Sequence, residues 1–582
     1  MIELDYLVVV AYFIGLLFVG VLFSRMNTSK DMFAAGGKSP WWLSGLSAFM
    51  TTFSAGTFVV WGGIAYQSGL VSVSILMVIG VAALIAGWLF AGVWKSIGYD
   101  SASAFIHDRF GEDLVRLYTV LQGLIGLFTM GGAVYALALV VTTLIPLPDG
   151  HLLQDPSSGN FSVVIASLML CLLVVLITFG GGLWAVLMTD ALQFVILCIS
   201  VVLVVPLLVQ KVGGVDELLL QLPDGHMSFT GGGFSSYFLL GWMIVFLFKI
   251  GGEWAYVQRF VCVPTVKDAR KSTFLFGALY LLSPIIWMLP PLIYRVIDAE
   301  ADYEQAYILA CKAVLPSGML GLMVAAMCSA TASMATTQLN VFAGAFTNEF
   351  YKRIWRPQAE ERELVLAGRL ITLILGLVIT AGALAIPYLG TYTGYILSSV
   401  AILTGPLVLP TIWGLYSKRI GLKYAWNVSV WSLVIGVILK VLILNNGLEN
   451  FGTLGLDLSI WILANKGVED VIIGTVIPLV LLVYLEISSK NIDPGWIKVK
   501  EKAKNQVTEI ENPSKLPAII CAWAVLGSGI MLFLIGLVDV SEGARVLILI
   551  SGIFLCFLGG GMIMMFKKQP AIEKIKESQN RA

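Results

Sequence analysis

Long apolar segments alternate with short polar ones along almost the whole chain. Each segment holds about 20 residues or more, the length that an α-helix needs to cross the hydrocarbon core of a bilayer. The predicted spans are roughly 5–24, 41–67, 70–95, 113–146, 160–179, 182–211, 236–258, 272–297, 318–351, 363–388, 390–416, 422–445, 470–488, 515–538 and 543–566. The pattern predicts an all-α polytopic membrane protein with about 15 transmembrane helices in a lipid bilayer.

Basic residues fall in alternate loops. If the N-terminus lies outside, the first cytoplasmic loop holds Arg25, Lys30 and Lys38, whereas the opposite loop 147–159 contains no Lys or Arg. The positive-inside rule therefore predicts an outside N-terminus and a cytoplasmic C-terminus in the plasma (inner) membrane. Between the later spans, the stretch 445–470 could hold an interfacial helix, and the stretch 488–514 is predicted to be a solvated linker.

Composition narrows the class of protein further. Of the 582 residues, 58% are hydrophobic and only 12% are charged, whereas average soluble domains carry about 25% charged residues. The mean hydropathy is +0.90. The formal net charge is zero, so we expect no nucleic-acid partner. The cysteines show no metal-ligand spacing, and the sequence contains no nucleophile–base pair or phosphate-binding loop, so we predict no enzymatic activity.

The second span has small and hydroxyl residues at its centre, in the run MTTFSAGT from Met50 to Thr57. Hydroxyl side chains can satisfy backbone groups that an interrupted helix leaves free at membrane depth. An interruption there would offer carbonyl oxygens to a cation and helix ends to a solute. The alternative is a continuous helix that uses its small residues for packing.

The seventh span has a comparable feature, the run KIGGEWAY from Lys249 to Tyr256, which holds a double glycine and two charges. Lys249 and Glu253 are four residues apart, so a helix places them on one face. They form either an internal ion pair that makes two charges tolerable in lipid or a solute site that grips an oppositely charged group.

The two interruptions lie five spans apart, which is typical of an inverted repeat with the binding site between its halves. Spans 2–6 and 7–11 would be the two repeats. This interpretation divides the chain into an N-terminal extra helix and loop (1–40), a first five-helix repeat (41–211), a second repeat (236–416), about four additional C-terminal helices (417–566) and a cytoplasmic tail (567–582).

Oxygen-bearing side chains in two other spans indicate a cation site. Asp190 lies within the apolar sixth span, where a carboxylate costs about 2.5–3.5 kcal/mol and usually has a function. In the ninth span, Ser333, Thr336 and Thr337 share one helical face by their spacing. Carboxylate and hydroxyl oxygens suit a hard monovalent cation. The alternative is that the hydroxyls bond back to their own helix.

Several short motifs, found in this order, resemble those of the sodium/solute symporter family. They are GGGLWAVLMTDALQ at 180–193, Arg109-Phe110-Gly111, Gln258-Arg259 followed by KDAR at 267–270, and Gly414-Leu415 before SKR at 417–419. The resemblance extends from about Ser39 to Lys423. It implies an inverted 5+5 repeat core of the leucine-transporter type with discontinuous helices, one extra helix before the core and several after it.

The resemblance also implies a sodium site that the whole family shares. It would use the backbone carbonyls of Met50, Phe53 and Ala330 and the hydroxyl of Ser333. The family usually has a second Ser or Thr next to that serine, where this chain has Met334. Because a thioether is a poor sodium ligand, we expect this site to be weaker than usual.

A further sodium site of some family members corresponds to Asp190, Ser333, Thr336 and Thr337, which all carry oxygen here. We expect this site more than the shared one. Na+ is therefore the expected coupling ion, and the number of coupled ions stays open.

The solute site differs from that of sugar-carrying relatives, which have Gln, Glu and Gln at the positions of Thr57, Leu76 and Leu397. The usual hexose contacts are therefore absent. Aromatic walls with few polar groups are ordinary for a small-solute pocket. The candidate lining consists of Thr57, Trp61, Gln122, Glu253, Trp254 and Tyr256.

The sequence thus predicts a sodium-coupled secondary active symporter that imports a small polar organic solute by alternating access. One alternative is a proton-coupled symporter in which Asp190 or Glu253 takes the proton. Another is a transporter-like solute sensor, which would need an output domain where we expect only a short charged tail after Phe566. The identity of the solute and the oligomeric state stay open.

Overall fold

The computed structural model describes residues 3–22, 37–156, 158–180, 183–388, 391–445, 447–448, 452–505 and 542–567, with scattered residues between 519 and 537. Within these residues the chain is helical, accompanied by isolated β-bridges. The helices are α1 (Glu3–Leu22), α2 (Trp41–Met50), α3 (Ala55–Ser68), α4 (Val71–Ser96), α5 (Ala102–Phe110), α6 (Glu112–Thr143), α7 (Val163–Gly180), α8 (Leu183–Val212), α9 (Val215–Gln221), α10 (Ser236–Gly252), α11 (Trp254–Val261), α12 (Val266–Ile297), α13 (Ala306–Val314), α14 (Met319–Trp355), α15 (Glu361–Tyr388), α16 (Tyr392–Tyr416), α17 (Leu422–Leu444), α18 (Gly452–Ala464), α19 (Val468–Ser488), α20 (Pro494–Asn505) and α21 (Glu542–Lys567).

Long apolar helices occupy the positions that the hydropathy pattern predicts. In the described residues, nine helices are long and apolar enough to cross a bilayer, and two bent pairs, α2 with α3 and α10 with α11, raise the number to as many as eleven. The all-α polytopic fold is therefore confirmed. The predicted span 515–538 lies mostly outside the described residues, and the total of about 15 spans stays a prediction.

Two helix boundaries add detail to the sequence-based prediction. α12 begins at Val266, earlier than the expected 272, because Thr265 caps its first turn by accepting a hydrogen bond from the Asp268 N–H at 3.1 Å. The stretch 445–470, considered for an interfacial helix, does contain a helix, α18.

The prediction of a solvated linker over 488–514 is wrong where α20 forms. The start of this helix is anchored by Arg109 in α5, whose guanidinium is fully buried and needs acceptors for its donors. Its Nη1 donates to Asp493 Oδ1 at 2.6 Å, immediately before α20. Its Nη2 donates to the carbonyls of Ser417 and Ile420 at 2.9 and 2.8 Å. The guanidinium thereby holds the start of α20 against the end of α16.

The core of the molecule surrounds α14. The most apolar window of this helix is 94% buried, more than in any other spanning helix of the described residues. It packs against α1, α6, α7, α8 and α15. The hydroxyl residues of the predicted cation site therefore lie in the protein interior, away from lipid.

Two glycines bring α4 and α12 into close contact. A Cβ atom on Gly80 would lie 2.9 Å from the Gly277 carbonyl oxygen, and a Cβ on Gly277 would lie 2.9 Å from the Gly80 carbonyl oxygen. Small residues permit such backbone approaches between membrane helices, where dispersion replaces the hydrophobic effect as the driving force. Because each of these helices follows one bent pair, the contact joins the two halves of the core.

Asp5 anchors the N-terminal helix α1 to the start of α14. Its side chain is buried, and its Oδ1 accepts hydrogen bonds from the Gly318 N–H at 2.7 Å and the Gly321 N–H at 2.9 Å. The first turn of a helix leaves N–H groups without intrahelical partners, and a carboxylate there also interacts favourably with the helix dipole.

We predict that Asp5→Ala lowers the apparent melting temperature of the purified protein. Loss of a helix cap costs about 0.5–2 kcal/mol, and two buried N–H groups would lose their acceptor together. Asp5→Asn is the matched control, because its amide oxygen can still accept hydrogen bonds. Its melting temperature should lie between those of Asp5→Ala and the parent protein. Equal melting temperatures for all three would show that the cap contributes nothing.

Candidate solute and cation site

Both predicted interruptions are present in the structure. α2 ends at Met50 and α3 begins at Ala55, with a bend of 61° between them. α10 ends at Gly252 and α11 begins at Trp254, with a bend of 54°. The continuous-helix alternative is therefore wrong for the second span.

Hydroxyl side chains stabilise the first break. Thr51 and Thr52 donate to the carbonyls of Ser47 and Phe49 at 2.7 and 2.6 Å, which completes the end of α2. Ser54 begins α3 through a capping box, in which its Oγ accepts from the Gly56 N–H and Thr57 accepts from the Ser54 N–H. The side chains that suggested a break in the sequence are the ones that satisfy its backbone.

Close packing explains the glycines of the second break. A Cβ on Gly251 would lie 2.5 Å from the Phe90 ring, and one on Gly252 would lie 2.6 Å from Val408. The Gly251 carbonyl accepts a hydrogen bond from the Trp94 indole at 2.7 Å. Glu253 then has an extended backbone conformation, φ −66° and ψ 134°, which separates α10 from α11.

The two breaks border one cavity of about 210 Å³, to which α4, α6, α12, α14 and α16 also contribute. Its polar groups come mainly from the two breaks, with others from α6, α14 and α16, and much of the remaining wall is aromatic and aliphatic. Five of the six predicted solute residues line it: Thr57, Trp61, Gln122, Glu253 and Tyr256.

The structure places the sixth predicted residue, Trp254, outside this cavity. Its indole packs against Phe342, with ring centroids 5.7 Å apart, and it borders a smaller cavity of about 50 Å³ together with Gln258 and Asn340. Trp254 is the first residue of α11, and the bend at Glu253 turns its side chain away from the main cavity.

Glu253 is the centre of a charged group on the cavity wall. Its Oε1 accepts from the Gln338 amide of α14 at 3.0 Å. Its Oε2 lies 3.7 Å from the Lys249 ammonium, and both side chains keep 22% of their surface exposed. Lys249 and Gln338 both line the cavity as well.

Asp190 lies at the centre of a second polar cluster and is only 1% exposed. One carboxylate oxygen accepts from Ser47 of α2 at 2.5 Å, and the other accepts from the Ser333 hydroxyl of α14. The Ser47 hydroxyl in turn accepts from Arg259 of α11 at 3.1 Å. Arg259 also donates to Thr337 of α14 at 3.0 Å. The cluster therefore joins α8 and α14 to both interrupted helices.

The structure thus brings Asp190, Ser333 and Thr337 into one network, with Arg259 as an additional cation. Thr336 is buried on the same helix. The alternative that the hydroxyls of this face only bond back to their own helix does not hold for Ser333, which donates to Asp190.

The residues of the expected shared site lie at the contact between the first break and α14. Met50, Phe53 and Ala330 are buried, and the Ala55 N–H donates to Thr331 of α14 at 2.8 Å. Met334 lines the main cavity on this side of α14. A thioether side chain therefore borders the cavity where the expected site would gain a hydroxyl.

Sequence reasoning missed three partners in these clusters, namely Ser47, Arg259 and Gln338. Arg259 could have been singled out, because it is a charge next to an apolar segment, but it was recognised only as part of the Gln258-Arg259 motif. Ser47 and Gln338 are ordinary polar residues on buried helices, and only the packing of those helices shows what they contact.

Two interrupted helices around a cavity inside a bundle of membrane helices define the class of secondary transporters. The model of the sodium:solute symporter family matches residues 32–436, most of the chain. The chain belongs to that family, and the resemblance predicted from the motifs is confirmed.

Comparison with curated proteins agrees with this membership. Sodium/glucose cotransporter 4 of Danio rerio is 26% identical over 482 residues, which cover 75% of this chain and 70% of that protein. Sodium/myo-inositol cotransporter 2 of Sus scrofa is 27% identical over 489 residues, with the same coverage of each chain. These relatives are transporters, not enzymes.

Solved structures show the same fold. A Na+-coupled sialic acid symporter in a substrate-bound outward-open state has a TM-score of 0.62 and 20% identity, covering 82% of this chain and 97% of that one. A nucleobase-cation-symport-1 family transporter in a closed conformation with bromovinylhydantoin bound has a TM-score of 0.51 and 13% identity, covering 82% and 99%. The expected leucine-transporter-type inverted repeat with discontinuous helices is therefore confirmed.

We predict that Ser47→Ala lowers the apparent melting temperature, because Asp190 and Arg259 would lose the hydroxyl that bridges them. A buried polar group left without a partner costs about 1–3 kcal/mol, and more when it is charged. The matched control is Ser200→Ala in α8, which removes a buried hydroxyl that has no partner among the described residues. An equal effect of the two substitutions would show that the Ser47 bridge is dispensable.

Proposed function

We propose that this protein is a sodium-coupled secondary active symporter that imports a small polar organic solute by alternating access. The observation that carries the proposal is that both interrupted helices border one cavity and both also reach the Asp190 cluster. An ion bound at the cluster and a solute bound in the cavity would therefore act on the same two mobile elements of this fold.

The Asp190 cluster is the sodium site that we favour. Asp190, Ser333, Thr336 and Thr337 offer a carboxylate and three hydroxyls, and the carboxylate already contacts Ser333. Hard oxygen ligands of this kind suit an alkali cation. The expected site at Met50, Phe53, Ala330 and Ser333 is the second candidate, and we propose that it is the weaker one because of Met334.

The solute is proposed to bind in the main cavity between the two breaks. Its lining supplies the hydroxyl of Thr57, the charge of Glu253 and the aromatic faces of Trp61 and Tyr256. Gln122 has less freedom than the sequence suggested, because its amide donates to the Leu407 carbonyl of α16 at 2.7 Å. We propose that Gln122 positions α16 beside the solute.

Energy for accumulation comes from the ion. Each sodium that enters contributes about 2.3 kcal/mol per 100 mV of membrane potential, in addition to its concentration gradient. By thermodynamic linkage, if bound sodium increases the affinity for the solute by some factor, bound solute increases the affinity for sodium by the same factor. The distribution of basic residues supports an outside N-terminus and a cytoplasmic C-terminus in the plasma (inner) membrane.

We predict that Asp190→Asn raises the sodium concentration for half-maximal solute uptake in proteoliposomes by roughly tenfold or more. The amide keeps the size of the side chain and one acceptor oxygen but removes the charge that a cation would bind. Replacement of sodium by choline in the parent protein should abolish uptake. Full uptake in choline, driven by a pH gradient, would instead support the proton-coupled alternative, and an unchanged sodium dependence of Asp190→Asn would remove Asp190 from the ion site.

A second variant tests the weaker candidate site. Met334→Ser should lower the sodium concentration for half-maximal uptake several-fold, because it adds a hydroxyl next to Ser333 where the family usually has one. Met334→Leu is the matched control, because it nearly conserves the volume and adds no oxygen. If the serine and leucine variants show the same sodium dependence, the shared site does not bind sodium in this protein.

A further inference from the structure

Lys249 presents an ammonium group to the main cavity that the protein itself uses little. The residue lies on α10, one turn before the second break, and lines the cavity. Among the described residues its Nζ makes no hydrogen bond. Its contacts are Glu253 Oε2 at 3.7 Å and the Phe246 ring, whose centroid is 5.5 Å away. An ammonium has three donors, so Lys249 keeps hydrogen-bonding capacity for a ligand.

Glu253 is in the opposite situation. Its Oε1 already accepts a hydrogen bond from the Gln338 amide, and its Oε2 faces Lys249. The carboxylate is thus oriented by α14 on one side and balances the ammonium on the other. This arrangement holds Lys249 in place and leaves the ammonium as the group most available to a ligand.

A second feature of the cavity that could bind an anion, the N-terminus of α3, is already satisfied. Interrupted helices of transporters often bind an anionic group of the solute at the N-terminus of a half-helix. At the start of α3, however, the Ala55 N–H donates to Thr331 at 2.8 Å, and the Gly56 N–H donates to Ser54 at 3.1 Å. The Thr57 N–H donates to the Ser54 carbonyl at 2.9 Å. These three donors are engaged within the protein, so the start of α3 offers an anion less than the Lys249 ammonium does.

Charge balance favours the same conclusion. Lys249 and Glu253 together are neutral, and the other lining residues carry no charge. A solute with one carboxylate would add one negative charge, which a co-transported sodium ion would offset. Charges in a dehydrated cavity are costly unless they are paired, so sodium and an anionic solute would each lower the cost of binding the other.

We infer that the transported solute carries a carboxylate and that the Lys249 ammonium binds it. This inference rests on the proposed function and names its substrate class. Glu253 is then a positioning residue for Lys249. The carbon skeleton of the solute would lie against the aromatic wall that Trp61, Trp242 and Tyr256 provide. The alternative that the experiment tests is a neutral polyol that binds only through its hydroxyl groups.

The experiment measures thermal stabilisation of the purified full-length protein by matched pairs of carboxylate and neutral compounds. The probes are glucuronate with glucose, lactate with lactamide, and nicotinate with nicotinamide, each in sodium chloride and in choline chloride. Stabilisation by a ligand reports its affinity for the folded protein. We expect at least one carboxylate to stabilise the protein in sodium chloride. Its neutral partner should need at least a tenfold higher concentration for the same stabilisation.

Variants then assign the effect to Lys249. Lys249→Met should lower the affinity for the carboxylate by roughly tenfold to a hundredfold, which is the effect of losing one charge-assisted hydrogen bond. Lys249→Arg should keep part of the affinity. The double substitution Lys249→Met with Glu253→Gln removes both charges and avoids an unpaired carboxylate, and it should lose the carboxylate preference as well. Lys211→Met, outside the cavity, is the control and should bind like the parent protein.

The outcomes separate this inference from the proposed function. Stronger stabilisation by a neutral partner, no stabilisation by any carboxylate in the panel, or unchanged affinity in Lys249→Met would each overturn the inference. Stabilisation by sodium chloride alone tests the ion site independently and should persist in Lys249→Met. A carboxylate that binds equally well in choline would leave the substrate class in place and contradict sodium coupling.

Discussion

The structure depends on one buried carboxylate. Asp190 lies in a membrane helix with 1% of its surface exposed, a position where an unpaired charge is unfavourable by several kcal/mol. Hydroxyls from α2 and α14 donate to its two oxygens, and Arg259 reaches it through Ser47. Because these partners come from separate helices, the cost of burying the charge is relieved only when the helices are correctly assembled. The arrangement of the two breaks therefore follows from the same contacts that make Asp190 tolerable.

This dependence suggests how an ion would act on the fold. Arg259 belongs to α11, the short helix after the second break, and Ser47 belongs to α2, before the first break. A sodium ion bound by Asp190 would compete with the Ser47 and Arg259 interactions for the same carboxylate. This competition would affect both α2 and α11, because each of them supplies one of the residues that interact with Asp190. Binding energy at Asp190 would thus be available to move the segments that line the cavity, as a linked equilibrium requires.

Local chemistry explains which features the sequence could predict. The breaks were predictable because hydroxyls and glycines leave a visible mark within a single apolar span, and Asp190 was predictable because a charge in such a span is rare. The partners Ser47 and Gln338 were not predictable, because their roles arise from the crossing of distant helices. Trp254 was predicted to line the cavity together with Tyr256, but its indole packs against Phe342 of α14, a contact between distant segments that the sequence does not show. The helix α20 was missed for a similar reason, since its anchor, Arg109, lies almost four hundred residues earlier in the chain.

Only a few contacts separate the Asp190 cluster from the charged group around Glu253. In α14, Thr337 accepts from Arg259 of the Asp190 cluster, and its neighbour Gln338 donates to Glu253 on the cavity wall. Glu253 immediately precedes the short helix α11, and Arg259 lies in its last turn. On the first interrupted helix, Thr51 of the cavity donates to the carbonyl of Ser47, which contacts Asp190. Adjacent residues of α14 thus contact α11 at Arg259 and the residue before it, Glu253, so a shift of α11 at Arg259 would also change the geometry at Glu253. If Asp190 binds the ion as proposed, a change in the charge balance around it would reach Glu253 and Lys249 through these contacts, which would give a short route for coupling between ion and solute.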